Sequence, residues 1–314
     1  MMRRRGCCCL GLLLLLLALA AGAVVLAVRF TGPSGACNRP DTGPPQPGTS
    51  VRTLVSLGQE RCYLLHLPKG GLPAEPVPLV LSLHGLAERP RLHEMITGWN
   101  EIADREGLIV VYPQGTGTPL RWGAPDVQFL RDLVAEVEGM VSIDRQRVYV
   151  NGLSNGGAMT HRLACQAADL VAAAGMVAAP VAELPDGCTP SRPVPIVAFH
   201  GTDDPVVDYR GSSQGPDLPR RSFSYLPAPE WTANWAARNG CAPEPESIPP
   251  SGDTSGVRYT GCEAGVEVVF YTIEGGGHTW PGGRPLPFVG KTSRDLDASE
   301  IMWQFFARYR LDTP

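Results

Sequence analysis

A chain of 314 residues with 43% hydrophobic and 18% charged side chains is too apolar for a disordered protein and long enough to bury the core of one sizeable domain. Its net charge is −4, and four of its 27 basic residues but none of its 31 acidic ones precede Phe30, so the body of the chain is more acidic still. That balance argues against a nucleic-acid partner, which would call for a basic face.

The chain opens Met1-Met2-Arg3-Arg4-Arg5 and runs into an uncharged apolar stretch of 19 residues, Leu10 to Val28. A basic start before such a run marks export. Residues 1–29 are read as a signal peptide cut near Ala18 to Ala23, or as an uncleaved anchor, because the run is also long enough to span a bilayer. A Pro- and Gly-rich linker is expected at 30–50 and one folded domain at 51–314. The expected location is extracellular, with any membrane contact made only through that anchor.

Further along, apolar runs at 79–83, 108–112, 148–150, 172–177, 196–199 and 266–273 read as strands. Helical patterns at 94–106, 127–141, 157–168, 229–239 and 296–309 fall between them. The alternation predicts an α/β fold, a mostly parallel central sheet with helices on both faces. A Pro-rich stretch at 242–252 reads as a loop.

Chemistry-bearing residues sit where these strands end. The run to Val150 leads into Asn151-Gly152-Leu153-Ser154-Asn155-Gly156-Gly157, a serine between two glycines between a strand and a helix, the pattern of a nucleophile elbow. The strand 196–199 leads to His200-Gly201-Thr202-Asp203-Asp204, a loop with two carboxylates, and the strand 266–273 leads to Gly275-Gly276-Gly277-His278. A serine hydroxyl needs a base to take its proton, and an imidazole needs a carboxylate to fix its tautomer. Ser154, His278 and Asp204 or Asp203 are therefore the expected triad, in the chain order of α/β-hydrolases.

Earlier, the strand 79–83 ends in His84-Gly85, which makes the backbone N–H of Leu86 one expected oxyanion donor; the N–H of Asn155, at a helix start, is the other. Trp280 stands two residues past His278 and is expected to offer its ring to substrate, while Trp122 and Phe288 read as packing. The remaining histidines lack ligand spacing, so neither a metal nor a cofactor is expected.

These residues resemble a known family: secreted α/β-hydrolase esterases that include polyhydroxybutyrate depolymerases, feruloyl esterases and acetylxylan esterases. The likeness rests on Leu83-His84-Gly85, Tyr112-Pro113, the segment Asp126 to Leu130, Gly152-Leu153-Ser154-Asn155-Gly156-Gly157-Ala158-Met159, the segment His200 to Val207, the segment Trp235 to Cys241 and Gly277-His278-Thr279-Trp280-Pro281-Gly282-Gly283. In the family's His-Gly-Thr-x-Asp pattern the last aspartate is the triad acid, which selects Asp204. The family follows its His-Gly with cysteine and further glycines; here stand Leu86-Ala87-Glu88-Arg89-Pro90.

The resemblance implies a serine esterase acting through an acyl-enzyme on an ester substrate. A polyhydroxybutyrate depolymerase is the first expectation; a feruloyl or acetylxylan esterase of plant cell walls is the alternative. Outside enzymes, a catalytically silent surface binding protein would keep the same fold. Six cysteines lie beyond the export segment, an even number for an oxidising compartment. Their proximity in sequence suggests Cys165 with Cys188 and Cys241 with Cys262, leaving Cys37 with Cys62.

Overall fold

The computed structural model describes residues 39–212 and 224–311. Two strands missing from the sequence reading come first. β1 (Gly48–Ser56) and β2 (Gln59–Leu67) form an antiparallel hairpin that pairs Ser56 with Gln59. Its two-residue turn, Leu57-Gly58, places both residues at positive φ, 49° and 73°, the geometry that matches strand twist.

Next follow β3 (Val77–Leu83), β4 (Ile109–Pro113), β5 (Ile143–Leu153), β6 (Ala173–Val177) and β7 (Ile196–Gly201). β8 (Glu246–Ser251), β9 (Thr254–Tyr259) and β10 (Val268–Ile273) complete one sheet in the order β1-β2-β4-β3-β5-β6-β7-β10-β9-β8. The central run from β4 to β10 is parallel, and each edge is an antiparallel pair. This is the mostly parallel sheet expected of an α/β-hydrolase.

Helices α1 (Pro90–Thr97), α2 (Trp99–Glu106), α3 (Asp126–Met140), α4 (Asn155–Gln166), α5 (Ala228–Arg238) and α6 (Ala298–Phe306) cover both faces. Alternation along the strands divides the core in two. Leu79, Leu81, Val111, Val150 and Ala198 face one layer, built on Phe129 of α3, Leu163 of α4 and Trp235 of α5. Val80, Val110, Tyr149 and Val197 face the other, where Phe306 of α6 stacks on Tyr149 and on Trp99 of α2 with ring centroids 5.1 and 6.1 Å apart. Both faces are dry, which is why these strands read as unbroken apolar runs.

Three boundaries differ from the sequence reading. The stretch 94–106 holds two helices, because Gly98 sits between them at φ 67° and ends the first in a left-handed cap. The stretch 242–252 is no simple loop: β8 occupies its second half, and Pro249 and Pro250 are tolerated because β8 is the edge strand and its register shifts between Ile248 and Ser251. The end of the linker, 48–50, belongs to β1, and just before it the Asp41 N–H donates to Val51 O at 2.8 Å. The proposed signal or anchor at 1–29 lies outside the described residues, among which no helix is long and apolar enough to cross a membrane.

Candidate active site

Loops following the parallel strands gather at one edge of the sheet, so His84 after β3, Ser154 after β5, Asp204 after β7 and His278 after β10 come from distant positions to one place. Ser154 caps α4 with φ 56° and ψ −119°, a conformation few non-glycine residues adopt. Its N–H is fixed to Val177 O at 2.8 Å. The flanking glycines make the turn feasible: a Cβ on Gly152 would lie 2.4 Å from the Gly156 carbonyl, and one on Gly156 would lie 2.1 Å from Leu83 O. Strand and helix therefore approach at backbone contact, and the serine projects from the bend.

Asp204 and His278 are brought together. His278 Nδ1 lies 2.8 Å from Asp204 Oδ2, leaving Nε2 as the nitrogen able to take a proton. The other carboxylate oxygen, Oδ1, accepts from the N–H groups of Val206 and Val207, both at 2.8 Å. His200 Nε2 donates to Val207 O at 2.8 Å and lies 3.5 Å from Asp204 Oδ2. Burial pushes the Asp204 carboxyl up, but hydrogen bonds from His200 and His278, the His278 charge and the Val207 N–H outweigh it and hold the group well below the usual carboxylate range. Asp203, the alternative acid, is exposed, and it is Asp204 that orders this loop, through Oδ1.

On the opposite side of Ser154, the segment after β3 forms a tight turn. Glu88 N–H donates to Gly85 O at 3.2 Å, Gly85 N–H donates to Glu88 Oε2 at 2.6 Å, and Ala87 sits at φ 60°. Leu86, at the apex, and Asn155 line the same cavity as Ser154 and His278, which is where two oxyanion donors would have to be. His84 is locked beneath: its Nε2 accepts from Gly115 N–H at 2.9 Å, so Nδ1 carries the proton and donates to Gly85 O at 2.7 Å. Burial pushes His84 down to about 4, so it is neutral near pH 7.

Several residues important here were not singled out from sequence. Glu88 and His93 are both buried, with Glu88 Oε1 3.3 Å from His93 Nδ1. Burial raises the Glu88 carboxyl, yet the charge and hydrogen bond of His93, with His84 and Gly85 N–H, bring it below its ordinary value. His93 Nε2 reaches Ser82 Oγ at 3.1 Å, which donates to Asn151 Oδ1 at 2.7 Å and so ties the turn to β5. Trp122 is more than packing: its Nε1–H donates to His84 O at 2.8 Å, and its backbone N–H donates to Asn155 Oδ1 at 2.8 Å. The departure from the family pattern after His84-Gly85 was the available signal for Glu88, since a carboxylate replaces small residues there.

The cavity holds about 790 Å³ and is walled mainly by apolar groups, including Leu86, Leu92, Val206, Leu286 and Val289. Trp280 is not among its walls, which corrects the expectation of a stacking platform. The ring is 1% exposed, bonded through Nε1 to Ser299 Oγ at 3.0 Å and packed edge-on against His93 at 5.8 Å. A face already covered cannot receive a substrate. Phe288, by contrast, is 99% exposed between the wall residues Leu286 and Val289.

Cys165–Cys188 and Cys241–Cys262 are disulfides, paired as the sequence suggested. Cys62 is disulfide-bonded as well, while Cys37 lies outside the described residues. The one group of metal-ligand type among the described residues is His161 with Cys165 and Cys188, and its thiols are spent in the bridge.

NocK, a protein of Nocardia uniformis subsp. tsuyamanensis named as an esterase, is 32% identical to this chain over 290 residues, which are 82% of this chain and 82% of NocK. Feruloyl esterase B of Piromyces equi is 33% identical over 230 residues, 69% of this chain. The chain belongs to this esterase family. The esterase spans 42% of the Piromyces protein's length. Its fold matches that of acetyl xylan esterase from Aspergillus awamori with a TM-score of 0.57 at 14% identity, covering 82% of the esterase and 99% of that chain. No family model matches the esterase.

Proposed function

We propose that this esterase is an exported serine hydrolase that removes a hydroxycinnamoyl or related acyl group from a plant cell-wall polysaccharide. The observation that carries the chemistry is the His278–Asp204 bond at 2.8 Å beside a serine held at φ 56°, all at one cavity. In the reaction, Ser154 Oγ attacks the ester carbonyl as His278 Nε2 takes its proton, and the oxyanion that forms is received by the N–H groups of Leu86 and Asn155. His278 then gives the proton to the departing alcohol, leaving an acyl-serine that water hydrolyses by the same steps in reverse roles. Asp204, held ionised, stabilises the imidazolium in between.

Two considerations favour a bulky acyl group. The apolar cavity of about 790 Å³ greatly exceeds what an acetyl group fills, and relatives named feruloyl esterase recur among the similar proteins. A polyhydroxybutyrate depolymerase, the first expectation from sequence, has no such support. The disulfides and the basic-apolar N-terminus support an extracellular setting.

The test is a parallel assay on methyl ferulate, acetylated xylan and hydroxybutyrate oligomers, together with labelling by a fluorophosphonate. Methyl ferulate should be turned over fastest, and Ser154→Ala should abolish labelling and lower kcat on the order of a million-fold. Undiminished turnover by Ser154→Ala would remove the nucleophile assignment; faster cleavage of hydroxybutyrate oligomers would return the polyester reading.

A further inference from the structure

Arg121 is a solvent-exposed wall residue of the same cavity, and its guanidinium has no hydrogen-bond or ion-pair partner among the described residues. The other charged walls are engaged: Glu88 by Gly85 N–H and His93, His278 by Asp204. A hydrated cation on the wall of an otherwise apolar cavity can exchange its water for an anionic group on a bound ligand.

Its position is also built. The Arg121 backbone exchanges two hydrogen bonds with Thr116, at 2.8 and 3.0 Å, closing the loop that carries it. On one side, Leu120 O accepts from Ala87 N–H at 2.8 Å; on the other, Trp122 N–H is bonded to Asn155 Oδ1 at 2.8 Å. Arg121 is thus bracketed by residues tied to both oxyanion segments. The side chain lies back over Gly117, at φ 86°, where an added Cβ would come 3.8 Å from Arg121 Nε and 4.0 Å from its Cγ. The stem thus packs against the Gly117 backbone, and the planar fork it carries has five donors that suit a carboxylate.

We propose that Arg121 binds a carboxylate carried by the substrate, making acidic esters the preferred substrate class of this site. The inference rests on the serine-esterase reading for its turnover test but not for its binding test. The carboxylate could belong to the acyl part, as in a dicarboxylic acid monoester, or to the alcohol part, as in a uronic acid unit of an acidic polysaccharide.

Matched pairs separate these sources. The acyl-side pair is 4-nitrophenyl monoglutarate against its methyl-capped diester, and the alcohol-side pair is feruloyl galacturonic acid against feruloyl galactose. In one pair the acidic member should show a kcat/KM advantage of about tenfold or more, as expected for a charge-assisted bidentate contact. In Arg121→Gln that ratio should fall toward one, and Arg121→Lys, which keeps charge but not the fork, should fall between. In parallel, the Ser154→Ala protein should bind the acidic member about tenfold more tightly than its neutral partner, an advantage lost in Ser154→Ala/Arg121→Gln and weakened by salt. A ratio near one in both pairs, or a preference that survives Arg121→Gln with a normal melting temperature, would overturn the proposal. Failure to cleave even the neutral partners would instead count against the esterase reading, while the binding measurement would still decide for or against Arg121.

Discussion

Asp203 and Asp204 are neighbours of the same chemistry with opposite surroundings, and the difference is testable directly. Asp204 is buried and bonded to His278 Nδ1, whereas Asp203 is exposed. Asp204→Asn should lower kcat by about ten-thousand-fold by stabilising the wrong imidazole tautomer, and Asp203→Asn should have little effect on steady-state turnover. The reverse ranking would move the acid by one residue. Glu88 offers a second comparison. Glu88→Ala would leave the Gly85 N–H and His93 Nδ1 buried without their partner, so both melting temperature and kcat should fall, kcat by about tenfold or more through displacement of the proposed oxyanion turn. Glu88→Gln keeps an oxygen for Gly85 N–H and should recover most of kcat; if it behaves as Glu88→Ala does, the charge rather than the turn is what matters.

Among the elements, the loop from Gly115 to Trp122 acts as a brace between the turn after β3 and the start of α4. Trp122→Phe keeps an aromatic ring but removes the N–H that bonds His84 O at 2.8 Å, and should lower kcat about tenfold with little change in KM, read from steady-state kinetics on a neutral ester. A KM effect alone would make Trp122 a substrate wall instead. This brace could not be read from sequence because the partners are 38 residues apart for Trp122 and His84 and 33 for Trp122 and Asn155. The elbow could, since its requirement is local: Gly152, Ser154 and Gly156 lie within one turn. The missed hairpin β1–β2 shows the opposite weakness. β2 is buried along most of its length but spells Gln-Glu-Arg-Cys-Tyr-Leu-Leu-His-Leu, and β1 carries scattered polar residues suited to an edge, so neither presents the plain apolar run of the central strands.

Across the whole molecule, buried uncharged histidines couple stability to pH. Burial pushes His84 down to about 4 and His161 down to about 3, where His161 Nδ1 accepts from Trp235 Nε1 at 3.1 Å. The unfolded chain takes up protons on both as pH falls through about 6.5, and the folded chain does not. Stability present above that pH is therefore lost between about pH 6.5 and 4, on the order of 3 kcal/mol for each group by proton linkage. Asp204 and Glu88 add their own loss only below the carboxylate range, because their depressed values favour the ionised, folded form. Denaturant midpoints measured from pH 8 to 4 should drop over that window, with a shallower drop in His161→Gln; a flat profile would refute the linkage. The sequence by itself determined what depends on near neighbours and on period: the parallel strands, the elbow at Ser154, the chain order of Ser154, Asp204 and His278, and the pairing of close cysteines. Only the tertiary structure decided which side chains face which way. The bond joining Asp204 and His278 spans 74 residues, Trp280 is covered by Ser299 and His93, and Arg121 comes to line the same cavity as Ser154 and His278. Adjacency of that kind is set by packing between distant segments, and spacing along one chain carries no record of it.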